Sequence, residues 1–177
     1  MNIVLCGLPM CGKSRFGKQA SEKLGWEFIE SDQLIEESYL QKTGRSLSCR
    51  EIFKNEGEPF FRALESEQIV SLAHKKQCVI STGGGTLLNQ NNVLQLKKIG
   101  VIIYLQAGID ALLKRLAEKT KPPAYLDPKN PSASFIELSE ERKKNYQQIC
   151  DVTIDTDLLT ENDIVSTICK AAKYGNK

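Results

Sequence analysis

Apolar residues along the chain gather into short continuous runs set between longer stretches of mixed polarity. IVLC at 3–6, CVIS at 78–81 and VIIYL at 101–105 are the continuous runs, rich in β-branched residues. Runs this short, without polar alternation, predict strands buried on both faces. EFIE at 27–30 and VTI at 152–154 are weaker strand patterns. The stretches between them predict helices at 13–24, 32–40, 59–74, 91–98 and 109–119, with further helices at 137–150 and 161–173. Strands alternating with helices predict an α/β domain: a doubly wound, five-stranded parallel sheet with right-handed crossovers. A chain of 177 residues suits one such domain, spanning 1–177.

One stretch departs from the pattern. KTKPPAYLDPKNPSAS, at 119–134, holds four of the six prolines. Proline lacks a backbone donor and turns the preceding residue away from helix, so a long loop is expected. Long loops in compact domains commonly serve as lids or binding loops. A mobile lid is therefore expected here, a passive insertion being the alternative.

Composition narrows the function classes. A net charge of +2 gives no general pull toward nucleic acid or a membrane surface. No apolar run approaches the ~18 residues needed to span a bilayer, and the one at 3–5 is too short for a signal peptide, so a cytoplasmic location is expected. The six cysteines are scattered without a CxxC pair, and His74 stands alone. That pattern fits reduced thiols rather than a disulfide framework or a zinc site.

The chemistry begins at GLPMCGKS, 7–14, which matches G-x-x-x-x-G-K-[ST] at every fixed position, with a strand before it and a helix after. Glycines let the backbone curl so that N–H groups converge, and the helix N-terminus adds partial positive charge. Leu8, Pro9, Met10, Cys11, Gly12, Lys13 and Ser14 are the expected cradle for the phosphates of a nucleoside triphosphate. Lys13 is placed to reach the β- and γ-phosphates, and Ser14 to ligate Mg²⁺. The chain lacks the N-K-x-D signature of a Ras-type GTPase, and the strand at 78–81 runs into Ser-Thr-Gly rather than the Asp-Glu of a motor ATPase. Small size and a proline-rich loop favour a kinase that closes over its substrates, because water competes for the γ-phosphoryl group.

Three constellations concern the acceptor. In FIESDQLIEE, Glu30 and Asp32 lie two apart at a predicted strand end, where period-two alternation points both carboxylates the same way. One can hold Mg²⁺ through water and the other accept a hydroxyl proton; Asp32 can also cap the next helix. In GEPFFRALESE, Arg62 and Glu65 are three apart on a helix, either a braced fork for a carboxylate or a plain surface pair. In STGGG, Gly83, Gly84 and Gly85 follow a strand directly, where backbone without side chains permits close approach.

Taken with TGRSL at 43–47, IF at 52–53 and ERKKNYQQICDVTID, these motifs run in the order found in shikimate kinases over roughly 1–156, and the sequence resembles that family. The resemblance implies a P-loop, nucleoside-kinase-like fold with a mobile lid and a hinged substrate-binding segment at about 32–64. It implies transfer of the γ-phosphoryl group of ATP to the 3-hydroxyl of shikimate, with Mg²⁺, in aromatic amino acid biosynthesis, by a monomer. It implies catalytic roles for Lys13 and Asp32, a carboxylate grip from Arg62 and Arg142, and backbone donors from Gly83, Gly84 and Gly85. Phe61 and Phe53 line the pocket by this reading; as core aromatics they need no ligand. Glu30 stands where the family has Asp, and Lys121-Pro122-Pro123-Ala124 where it has Arg-Pro-Leu-Leu, making Lys121 the expected lid cation. DTDLLTEND lacks the family's arginine beside adenine. Leu158 and Leu159 are then expected against the base, with Arg115 as another contact or simply an exposed helix charge. Rival readings are another P-loop small-molecule kinase, for gluconate or a nucleoside monophosphate, and a non-catalytic nucleotide-binding module.

Overall fold

The computed structural model describes residues 1–118 and 123–173. Five strands, β1 (Asn2–Cys6), β2 (Glu27–Glu30), β3 (Cys78–Ser81), β4 (Gly100–Gln106) and β5 (Val152–Asp155), pair in parallel in the order β2-β3-β1-β4-β5. β1 is central and buried along its whole length, as its unbroken apolar run predicts. The helices are α1 (Lys13–Leu24), α2 (Ser31–Thr43), α3 (Cys49–Glu56), α4 (Glu58–Ser71), α5 (Gln90–Ile99), α6 (Ile109–Ala117), α7 (Pro131–Ile149) and α8 (Glu161–Ala171). They flank the sheet, α1 packing with α8 and α4 with α5. The predicted doubly wound α/β fold is therefore observed. The strand order reverses beside β1, and the loop leaving its carboxyl end opens at this switch point, where open sheets bind ligands.

Two elements depart from the sequence reading. α3 lies where the sequence reading places no element, between the helices expected at 32–40 and 59–74; Ser48 and Glu51 form a reciprocal capping box at its start, which sets the helix. α7 begins at Pro131 rather than 137, with the Asn130 side chain accepting from the Ala133 N–H. Pro131 sits at the first helical position, where its missing N–H is not needed, so the loop is shorter than the prolines imply.

The main core surrounds the sheet. Ile35, Tyr39, Ile52, Phe61 and Leu64 form a second cluster that ties α2, α3 and α4 into a unit with its own apolar interior. Among the described residues no helix is long and apolar enough to cross a membrane.

Candidate active site

The loop from β1 to α1 winds through positive φ at Gly7, Met10 and Gly12. Alternation of left- and right-handed residues turns successive N–H groups inward, as an anion nest requires. Gly12 precedes α1 and the helix start has no side-chain cap, so its first N–H groups remain available to a ligand. Lys13 is buried, its Nζ donating to the carbonyls of Gly7 at 3.0 Å and Leu8 at 2.9 Å. Ser14 is exposed. Leu8 and Cys11 are buried beneath the loop. Arg115 is exposed and donates from Nη1 to the Met10 carbonyl at 2.7 Å, which braces the loop's outer turn. Leu158 and Leu159 are exposed.

A cavity of about 500 Å³ opens in front of this loop and runs between the sheet and the α2–α4 unit. Pro9, Met10, Lys13 and Ser14 contribute to one wall, and Glu30, Asp32, Phe53, Phe61, Arg62 and Gly83 to Gly85 are among the residues lining the remainder. Strand alternation is not what aligns the two acidic groups. β2 ends at Glu30, and Asp32 lies in the first turn of α2, where Glu30 is the N-cap position and makes no side-chain cap bond. The capping role considered for Asp32 is thus absent. The Ser81 hydroxyl donates to Glu30 Oε1 at 2.6 Å and fixes it. Burial, then the neighbouring Glu30 charge, push the Asp32 carboxyl up from 3.8 to about 6, with Lys13 pulling the other way.

Arg62 is no loose surface pair. Its Nη1 donates to Glu65 Oε2 at 2.9 Å and its Nε to Glu58 Oε1 at 3.3 Å. Glu65 is buried and accepts on its other oxygen from Thr86 Oγ1 at 2.8 Å. Burial works against the guanidinium charge, and the Glu65 and Glu58 carboxylates outweigh it, holding Arg62 above its ordinary value.

The glycine triplet makes room for these groups. A Cβ at Gly83 would lie 3.0 Å from Asp32 Oδ1, one at Gly84 3.0 Å from Pro9 and 3.1 Å from Arg142 Nη1, and one at Gly85 2.6 Å from Arg62 Nη2. The Gly83 N–H donates to Ser31 Oγ at 3.0 Å, which leaves Gly84 and Gly85 as the triplet's open donors among the described residues.

Arg142 is buried behind Gly84, with its guanidinium 5.0 Å from the centre of the Tyr125 ring. It does not line the cavity wall, whereas Tyr125 does. Lys121 lies outside the described residues. Arg50, Cys49 and Tyr125 line the cavity without having been singled out. Arg50 had a legible signal, standing three residues before Phe53 on a helix opened by Ser48-x-x-Glu51.

The arrangement holds a phosphate nest, a lysine, a carboxylate with a raised pKa and a braced guanidinium around one cavity. It can bind a polyphosphate at one end and a small anionic alcohol at the other. A family model described as Shikimate kinase matches residues 9–173. The shikimate kinase of Thermodesulfovibrio yellowstonii is 39% identical over 169 residues, covering 96% of this chain and 93% of that relative. That of Caldanaerobacter subterraneus subsp. tengcongensis is 36% identical over 170 residues, covering 96% and 95%. The solved shikimate kinase from Acinetobacter baumannii in complex with shikimate has a TM-score of 0.85 at 30% identity, covering 99% of this chain and 94% of that one. The chain belongs to the shikimate kinase family, and its activity is the ATP-dependent phosphorylation of shikimate.

Proposed function

We propose that the residues of this cavity carry the transfer of the γ-phosphoryl group of ATP to the 3-hydroxyl of shikimate as follows. The loop amides and Lys13 bind the ATP phosphates. Ser14, exposed at the start of α1, and Glu30, fixed by Ser81, offer the hard oxygen donors that suit Mg²⁺, Glu30 acting through water. When bound there, the ion supplies positive charge to the phosphate oxygens. Arg62, braced by Glu65 and Glu58, grips the acceptor carboxylate, with Arg142 behind it and the Gly84 and Gly85 N–H groups on the substrate's polar edge. Asp32 takes the proton from the 3-hydroxyl as that oxygen forms its bond to γ-phosphorus, and the bond to the β-phosphate oxygen breaks to release ADP.

The carrying observation is that the Arg62–Glu65–Thr86 network opens onto the same cavity as Asp32 and Lys13. A rigid fork for the anion then orients the hydroxyl toward both base and phosphate, which is most of what phosphoryl transfer asks of a protein. The reading includes closure of the α2–α4 unit, about 32–64, and of a lid whose described part is 123–130, before α7, over the bound pair; Lys121, the expected lid cation, lies outside the described residues. It also includes action as a monomer, since one chain supplies every group named, and the cytoplasmic location expected from the sequence.

A coupled assay of ADP release with shikimate, gluconate and nucleoside monophosphates as acceptors tests the proposal. Shikimate-dependent turnover that Arg62→Ala weakens through KM supports it. Turnover without acceptor dependence, or preference for another acceptor, overturns it.

A further inference from the structure

Among the described residues only two buried side-chain nitrogen or oxygen atoms have no hydrogen-bond partner, Arg50 Nη1 and Arg142 Nη1. Both are guanidinium donors at the acceptor end of the cavity. Arg50 shares the cavity wall with Tyr125, and Arg142 lies against the Tyr125 ring. A charged donor hidden from water without an acceptor is unfavourable, and such groups mark places where a ligand supplies the missing partner.

Arg62 is partly committed, with Nη1 and Nε held by Glu65 and Glu58. Arg142 is separated from the cavity wall. Arg50 alone of the three combines a place on that wall with a buried donor that nothing satisfies. It is also mounted with Arg62: α3 and α4 share the second apolar cluster, and the Phe53 ring meets Phe61, the residue before Arg62, at 5.6 Å. A guanidinium on this unit moves with the carboxylate fork rather than with the phosphate loop.

We infer that Arg50 is a substrate-binding and specificity-determining residue, a further guanidinium that pairs with the carboxylate of the acceptor. The inference rests on the function proposed above. A carboxylate offers about four lone-pair sites, enough for more than one arginine. Arg50 raises affinity for an anionic acceptor and leaves ATP binding untouched.

The test uses the full chain, with Arg50→Met to remove charge at similar length and Arg50→Lys to keep charge without the planar fork. Steady-state kinetics are measured with shikimate and with its uncharged methyl ester, alongside the ATP KM and the thermal midpoint without acceptor. The expected result is a shikimate KM raised roughly ten- to hundredfold in Arg50→Met and less in Arg50→Lys. The ATP KM stays as in the wild type, the midpoint without acceptor does not fall, and wild type and variants become equal on the ester. An unchanged shikimate KM, an equal loss on the ester, or a loss in ATP KM overturns the inference. Absence of wild-type turnover with shikimate defeats the proposed function instead, so the two failures are told apart.

Discussion

Replacing Asp32 by Asn removes a negative charge that the fold holds at some cost. Glu30, Glu65 and Glu36 all repel it, burial strips its water, and Lys13 offsets only part. The carboxyl rises from 3.8 to about 6, a shift of about two units, or about 3 kcal/mol at 1.36 kcal/mol per unit. Water in the open cavity screens some of this, leaving an expected ~1–3 kcal/mol. The folded protein binds this proton more tightly than the unfolded chain does. The stabilisation is therefore fully present below about pH 4 and is lost as pH rises through about 6. At pH 8 the wild type carries the whole penalty and Asp32→Asn carries none. With a urea slope of about 2 kcal/mol/M, the variant's midpoint at pH 8 should lie about 0.5–1.5 M higher, and the gap should close by about pH 4. The same variant should lose roughly 10²–10⁴-fold in kcat while keeping its ATP KM. Urea unfolding at both pH values, with kinetics on the same preparation, measures all of this. An Asn variant that is no more stable at pH 8, or whose advantage persists at pH 4, refutes the reasoning.

Three further outcomes follow from the same geometry. kcat/KM for shikimate should fall about tenfold per unit as pH drops below about 6, because the free enzyme's base must be ionised; a flat profile down to pH 5 removes Asp32 from that role. Lys13→Met should cut kcat roughly 10²–10³-fold or more with the fold intact by circular dichroism, and a near-native rate would take the phosphate loop out of catalysis. In Gly85→Ala the new Cβ would meet the Arg62 guanidinium, which Glu65 and Glu58 prevent from swinging freely; shikimate KM should rise roughly tenfold with ATP KM unchanged, and an unaltered shikimate KM would show that the fork is not where the acceptor binds.

The strands were legible because a parallel sheet buries them on both faces and so writes them as unbroken apolar runs; β2 and β3 match their expected bounds residue for residue. α1 was equally plain, lying between the Gly12 turn and the Gly25 stop. What failed was the weighing of local signals. Prolines at 122, 123, 128 and 131 were read together as loop, although Pro131 follows a capping Asn130 and opens α7. α3 is short and carries one fully buried residue, Ile52, so it shows little periodicity; only the Ser48–Glu51 cap announced it.

The site was legible where its chemistry is local and obscure where it depends on a crossing of elements. Lys13 and Ser14 follow from eight contiguous residues. The glycine triplet reads in the sequence as a place of close approach for a ligand; in the structure it makes room for the protein's own side chains, Asp32 at Gly83, Pro9 and Arg142 at Gly84, and Arg62 at Gly85. Those contacts join β3's outgoing loop to α2, the phosphate loop, α7 and α4, elements whose separations along the chain carry no mutual signal. The seating of Arg142 against the Tyr125 ring has the same origin, since the ring comes from the loop before α7 and the guanidinium from α7 itself. Arg50, Arg62 and Tyr125 line the cavity wall, and Arg142 lies against the Tyr125 ring at 5.0 Å. On the function proposed above, Arg50 and Arg62 meet the acceptor carboxylate from the cavity wall, and Arg142 stands behind Tyr125.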